Sequence, residues 1–313
     1  MPTRRWLRWL PWLVTVVAVT VILIRFPIGG IVDEARAGNL WAMIPLAVAL
    51  PVARLFLSGL WDYLVLAPCV SVRYVDVVRA KAAIAVLMGL GYAFSNGGMA
   101  AWITRRTGAR VKTSAGAVLY MMASDLASAT LVAAVAAWLG AADLPADLRV
   151  GVGVVAPLIA AGLIALSLSG RLLRLVRRDV DAGFLEAWTE ISARRYLANV
   201  AGRCLTVLVI CTGTWAAMRA FGLDVPLRAV MVYLPVIMMV GALPINVAGL
   251  GAVQAAWLLF EPWVPGERIL AFQVCWTIML AVATVLRGLP FLHRVLGEIT
   301  DGPQAPPTPS QTS

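Results

Sequence analysis

Charge is scarce in this chain: only 13% of its 313 residues are Asp, Glu, Lys or Arg, against about a quarter in ordinary soluble domains. A polypeptide this size must present polar loops and charged faces to water, so the shortage excludes a water-soluble enzyme. Histidine is nearly absent. The single His293 has no partners for a metal site, a His-activated nucleophile or an intramembrane Ser-His dyad. Four cysteines, Cys69, Cys204, Cys211 and Cys275, lie in or beside apolar segments without CxxC spacing and read as small core residues rather than ligands or disulfides. A GxxxxGK[ST] phosphate loop is also missing, so no ATP-driven step and no cofactor are expected.

What is present is apolar. Hydrophobic residues make up 61% of the chain, and the mean hydropathy is +0.86, which makes lipid the solvent. The fold class expected is an all-α polytopic membrane protein, with about six full spans of roughly 20 residues. The formal charge is +10, from 26 basic and 16 acidic residues. No aromatic-basic reading surface lies outside the hydrophobic runs, so nucleic acid is not expected as a partner. The excess fits a positive-inside bias and attraction to anionic headgroups.

Residues 1–9 form a basic N-terminus, 10–295 a single membrane domain and 296–313 a proline-rich cytoplasmic tail expected to be disordered. Thr3-Arg4-Arg5-Trp6-Leu7-Arg8 before the run 9–24 resembles a twin-arginine signal, with Ala35-Arg36-Ala37 as a small-residue cleavage mimic. With so many spans following, a first transmembrane helix with its basic end in the cytoplasm is the expectation. Apolar runs occur at about 10–26, 40–66, 82–103, 114–140, 150–170, 198–220, 229–260 and 269–290. Two of them are interrupted, 82–103 by Ser95-Asn96-Gly97-Gly98 and 229–260 by Leu243-Pro244-Ile245-Asn246-Val247-Ala248-Gly249-Leu250-Gly251.

Charge decides how these runs thread. A full crossing by 82–103 would place Arg105, Arg106, Arg110 and Lys112 outside, against the positive-inside bias. A re-entrant hairpin keeps them inside, its limbs of about 10 residues rising about 15 Å, half the hydrocarbon core. The same logic makes 229–260 a hairpin from the opposite face, with both termini cytoplasmic. The first unit, 40–140, and the second, 198–290, are then inverted repeats joined by connector helices 150–195. Interrupted segments at corresponding places point to a midplane substrate site. Kinks in ordinary spans are the plainer alternative.

Irregular backbone at membrane depth must face protein or a wet cavity. Asn96 and Asn246, in the two breaks, either cap broken helices or touch a ligand, and half-helix N-termini beside them would suit an anion. Arg54 and Asp125 fall near mid-depth, where a lone charge is costly. Either they form a structural pair or Arg54 meets substrate. Asp62 reads as a snorkelling interfacial acid. Between the units, Val180, Phe184, Trp188 and Ile191 recur at helical spacing among Arg177, Arg178, Arg194 and Arg195, as in an amphipathic helix on an anionic leaflet.

The segment Leu243–Ala256, and Phe94-Ser95-Asn96-Gly97-Gly98-Met99 followed by Arg105-Arg106-Thr107-Gly108, resemble motifs of the transmembrane region of lysylphosphatidylglycerol synthases, the flippase-like domain family. Asp125 falls where that family places an aspartate. The likeness spans most of residues 10–295 and departs from the family pattern at Met99, Met121-Met122 and Gln254. It implies a lipid translocase without the soluble aminoacyl-transferring domain, either with a cargo different from that of acid-bearing members or with weak or no activity. The interrupted segments, the mid-depth charges and this resemblance together make Arg54, Asn96, Gly97, Gly98, Asp125, Pro244, Asn246, Gly249, Gly251 and Gln254 the expected substrate contacts, and the basic clusters make Arg105, Arg106, Arg177 and Arg178 the expected headgroup-gathering residues.

The expected activity is therefore movement of an anionic or modified phospholipid, or of a polyprenyl-phosphate headgroup, between leaflets of an inner membrane. A separate synthase or transferase is the expected protein partner. Two other readings stay open. Asp33-Glu34 in the first external loop suits a glycosyltransferase using lipid-linked sugars, and a membrane assembly subunit needs no cargo.

Overall fold

The computed structural model describes residues 20, 22, 24–86, 92–140, 157–158, 161–162, 192–242 and 252–300. Among these residues the chain is all-α, without a strand. Its helices are α1 (Ile28–Ala37), α2 (Leu40–Leu66), α3 (Tyr74–Ile84), α4 (Tyr92–Thr107), α5 (Val111–Leu139), α6 (Ala193–Phe221), α7 (Leu227–Ala242), α8 (Ala252–Trp257) and α9 (Gly266–Thr300), with a 3-10 turn at Leu258–Phe260. Four of them, α2, α5, α6 and α9, are long and apolar enough to cross a membrane. The expected spans 10–26 and 150–170 lie almost wholly outside the described residues, as do Arg177, Arg178 and the break 243–251.

Local signals set the helix ends. Asn39 Oδ1 accepts from the Ala42 amide at 3.2 Å, and Ser192 Oγ accepts from that of Arg195 at 3.3 Å, each satisfying an orphan donor of a first turn. At its far end α6 stops on Gly222, whose φ of 94° is readily adopted only without a Cβ. Helix α9 runs on to Thr300, so residues 296–300, expected in the tail, are helical.

The contacts order the helices into two ends. At the basic end, Asp76 in the first turn of α3 meets Arg106 in the last turn of α4 at 3.5 Å. Trp102 Nε1 donates to Glu298 of α9 at 2.9 Å, and the Tyr120 and Tyr196 rings meet edge-on at 5.6 Å. At the opposite end, Arg268 of α9 reaches Glu34 of α1 at 3.6 Å and the Gly222 carbonyl at 3.2 Å, while Arg25 pairs with Glu261 at 3.0 Å. Helices α3 and α4 thus run antiparallel with their outer ends together. Neither is long enough to cross: 11 and 16 residues rise about 16 and 24 Å.

One expectation is overturned here. Ser95, Asn96, Gly97 and Gly98 do not break their segment; all four are helical, inside α4. Two glycines disfavour a helix by about 1 kcal/mol each. Met99, Trp102 and Ile103, all buried, put one face of α4 into the core, and such burial overrides propensity.

Close approach of backbones holds the bundle. A Cβ on Gly288 would lie 2.4 Å from the Ala82 carbonyl oxygen of α3, and one on Gly202 would lie 2.2 Å from the Trp61 ring of α2. In lipid, where apolar faces gain nothing by hiding from water, such small-residue contacts and interhelical hydrogen bonds carry association. Helix α5 is the most enclosed of the four. Its Ser128 hydroxyl donates to Ser124 O at 2.8 Å and lies 3.1 Å from Val200 O of α6.

Two large apolar clusters fill the core, beside a small one of Ile22, Phe26 and Leu270. One gathers Phe221, Tyr233, Phe260, Phe272 and Trp276 towards the α1 end, and the other Leu66, Val77, Trp102, Tyr120 and Val295 towards the basic end. Each long helix passes from one cluster to the other, and polar residues occupy the stretches between them. On α2 these are Arg54 to Asp62, on α5 Asp125 and on α6 Arg203.

Candidate functional site

At the seam between the clusters lies a cavity of about 430 Å³. Helix α2 contributes Pro51, Arg54, Leu55, Ser58 and Asp62, and α5 contributes Val118, Met121, Met122 and Asp125. Both sets follow the i, i+3, i+4, i+7 spacing of one helix face. Thr277, Leu280, Ala281, Thr284 and Arg287 come from α9, and Ile210 and Thr214 from α6. The inner ends of the antiparallel pair close it, Lys81 to Val86 from the α3 side and Ser95, Asn96 and Met99 from α4. The lining is therefore mostly apolar, with charged groups from α2, α3, α5 and α9.

That charge has an internal structure. Arg203 is buried and uses all three guanidinium nitrogens: Nε donates to Asn199 Oδ1 at 2.8 Å, Nη1 to Asp125 and Nη2 to Asp62. Asn199 in turn donates to the Trp61 carbonyl at 2.9 Å. Asp62 also accepts from Lys81 Nζ. Two acids and two bases cancel, and the shared hydrogen bonds offset the penalty for burying charge. The network ties α2, α3, α5 and α6 together, and Asp125, with half its side chain exposed, carries its edge into the cavity.

Two further guanidiniums are left without an anion. Arg287 Nη1 donates to the Pro51 carbonyl of α2, while its buried Nε has no hydrogen-bond partner. Arg54, three residues beyond Pro51, lines the same cavity. Among the described residues no carboxylate pairs with either one.

Several expectations change. The Arg54–Asp125 pair does not form, because Asp125 bonds Arg203, although both expected partners line the cavity. Asp62 is not an interfacial acid; it is buried at the centre of the network. Of the other expected contacts, Asn96 lines the cavity, whereas Gly97 is exposed on α4 and Gln254 is buried on α8. Neither Gly97 nor Gln254 touches the cavity. Pro244, Asn246, Gly249 and Gly251 lie outside the described residues. Arg105 is exposed at the basic end, and Arg106 there is committed to Asp76.

Sequence reasoning missed Arg203, Asn199, Lys81 and Arg287. Arg203 stands inside the apolar run 198–220, well before Arg219 at its end, and a basic residue within such a run is itself a signal of an interior partner. Lys81 and Arg287 lie beside or near the ends of apolar runs, where a cation is expected to face the cytoplasm and carries no signal of a cavity. Among the described residues no group of His, Cys, Asp and Glu could hold a metal ion. The Asp33 and Glu34 side chains, on α1, meet Arg36 at 3.8 Å and Arg268 at 3.6 Å. No protein-family model matches the chain, and no curated protein matches it significantly.

Proposed function

We propose that this protein is a lipid translocase of a bacterial-type inner membrane, accepting an anionic headgroup in the central cavity and passing it between leaflets. One observation carries the reading: Arg54 and Arg287 share a mostly apolar cavity between membrane-crossing helices, and no carboxylate among the described residues neutralises either. Unpaired charge at membrane depth is costly and marks a substrate path. Apolar walls with a few placed polar groups suit a headgroup followed by its chain. The resemblance to the flippase-like family points the same way.

In this reading α3 and α4 are the limbs of a re-entrant hairpin dipping from the cytoplasmic face. The α7–α8 segment dips from the other side, its limbs held by the Tyr233 ring against Phe260 at 5.6 Å and Trp263 at 5.7 Å. The units around α2–α5 and α6–α9 are inverted repeats, and both termini are cytoplasmic. The exposed arginines of the basic end, Arg105, Arg110, Arg194 and Arg195, face the anionic inner leaflet. No covalent step is required. The pairing of Asp33 and Glu34 with arginines gives no support to a glycosyltransferase.

The test is leaflet exchange in liposomes containing the purified chain. Fluorescent phosphatidylglycerol is expected to equilibrate between leaflets faster than in empty vesicles, and faster than phosphatidylcholine. Arg54→Gln and Arg287→Gln should each slow it about tenfold, the loss of one charge-assisted hydrogen bond. Exchange no faster than in empty vesicles, or equal for both lipids and both variants, would remove the proposal.

A further inference from the structure

The anion this cavity is built for can be narrowed by charge. Five ionised groups line it, Arg54, Lys81 and Arg287 positive and Asp62 and Asp125 negative, and the buried Arg203 bonds both aspartates from behind. Lys81 and Arg203 are neutralised by the two aspartates, which leaves Arg54 and Arg287. These two are held close. Arg287 is fastened to the Pro51 carbonyl, and Arg54 begins one helical turn further along the same face of α2. Like charges one turn apart repel, and in a partly desolvated site the repulsion is stronger than in water. Among the described residues neither side chain has a protein anion to relieve it, and Arg287 keeps a buried Nε–H with no acceptor.

We propose that the cavity selects a lipid phosphomonoester, a headgroup with a terminal dianionic phosphate, over the monoanionic phosphodiester of ordinary phospholipids. The inference rests on the anionic-lipid reading above and sharpens it. A phosphomonoester carries about −1.5 to −2 at neutral pH and three acceptor oxygens, which matches two guanidiniums with separate donor forks. A phosphodiester has a single charge and two free oxygens, so one guanidinium would stay uncompensated. The apolar lining, from Leu55, Val118, Met121 and Leu280, gives the attached chain its contact and separates a lipid from free phosphate.

Binding of matched acyl-chain probes to the full chain in zwitterionic nanodiscs tests this. Phosphatidic acid is expected to bind about tenfold tighter than phosphatidylglycerol. Arg54→Gln and Arg287→Gln should each abolish the preference, whereas Arg54→Lys, which keeps the charge, retains part of it. Arg194→Gln, an exposed change at the basic end, should leave it intact. Equal binding of the two lipids would overturn this inference while leaving the anionic-headgroup reading in place. Binding of neither would overturn both. Competition by inorganic phosphate at concentrations comparable to the lipid would overturn the assignment to a lipid.

Discussion

Arg203 shows how much a single side chain decides here. Its three nitrogens each meet an acceptor, and two of the acceptors are carboxylates that would otherwise be buried or half-buried anions in a membrane domain. Removing one partner of a buried pair strands the other charge, at about 3–5 kcal/mol. Arg203→Leu should therefore lower thermal stability in detergent sharply. Pairing it with Asp62→Asn should recover part of the loss, since the stranded charge is then gone. A single variant as stable as the parent would mean that the network contributes nothing to the fold. The sequence concealed this residue because an apolar window averages one arginine away, and because the partner for Asp125 was sought only among charges at obvious mid-depth. Arg54 was found by that rule and Arg287 was not, since its helix continues 13 residues past it to Thr300.

At the scale of elements, hydrophobic runs located the long helices well. The run 40–66 coincides with α2, and 114–140, 198–220 and 269–290 lie within or near α5, α6 and α9. Breaks were harder. Ser95-Asn96-Gly97-Gly98 has the composition of a turn yet forms part of α4, because a tripeptide-scale signal does not report the packing of Met99, Trp102 and Ile103 three and four residues apart. The consequence is testable at Gly97, where an added Cβ meets nothing within 4 Å. Gly97→Ala should leave transport intact and raise stability by about 0.5–1 kcal/mol, the gain for replacing glycine inside a helix. If the segment were the turn of the hairpin, the same change would lower stability instead.

For the whole molecule, contacts gather the described helix ends into two sets. Arg106 and Asp76 sit with Trp102 and Glu298, while Glu34, Arg268, Gly222 and Arg25 sit at the other end. Arg110→Cys and Pro262→Cys, each made in a chain whose four native cysteines are replaced by alanine or serine, mark the two ends at exposed positions. In intact cells an impermeant thiol reagent should label the second and not the first, and inverted vesicles should reverse the result. Labelling of both from one side would break the inverted threading. Charge lets an orientation be expected from the sequence because it acts loop by loop. The site stayed half-hidden because it is assembled from six helices, each contributing one to three polar residues to an apolar face.

The central claim concerns what sits between Arg54 and Arg287, and an experimental map of the protein in lipid nanodiscs supplied with phosphatidic acid addresses it most directly. Density for a phosphate within hydrogen-bonding distance of both guanidiniums, trailing an acyl chain along Met121 and Leu280, is the result predicted. A cavity filled by acyl chains alone, or a carboxylate of the protein turned onto Arg54 or Arg287, would contradict the account.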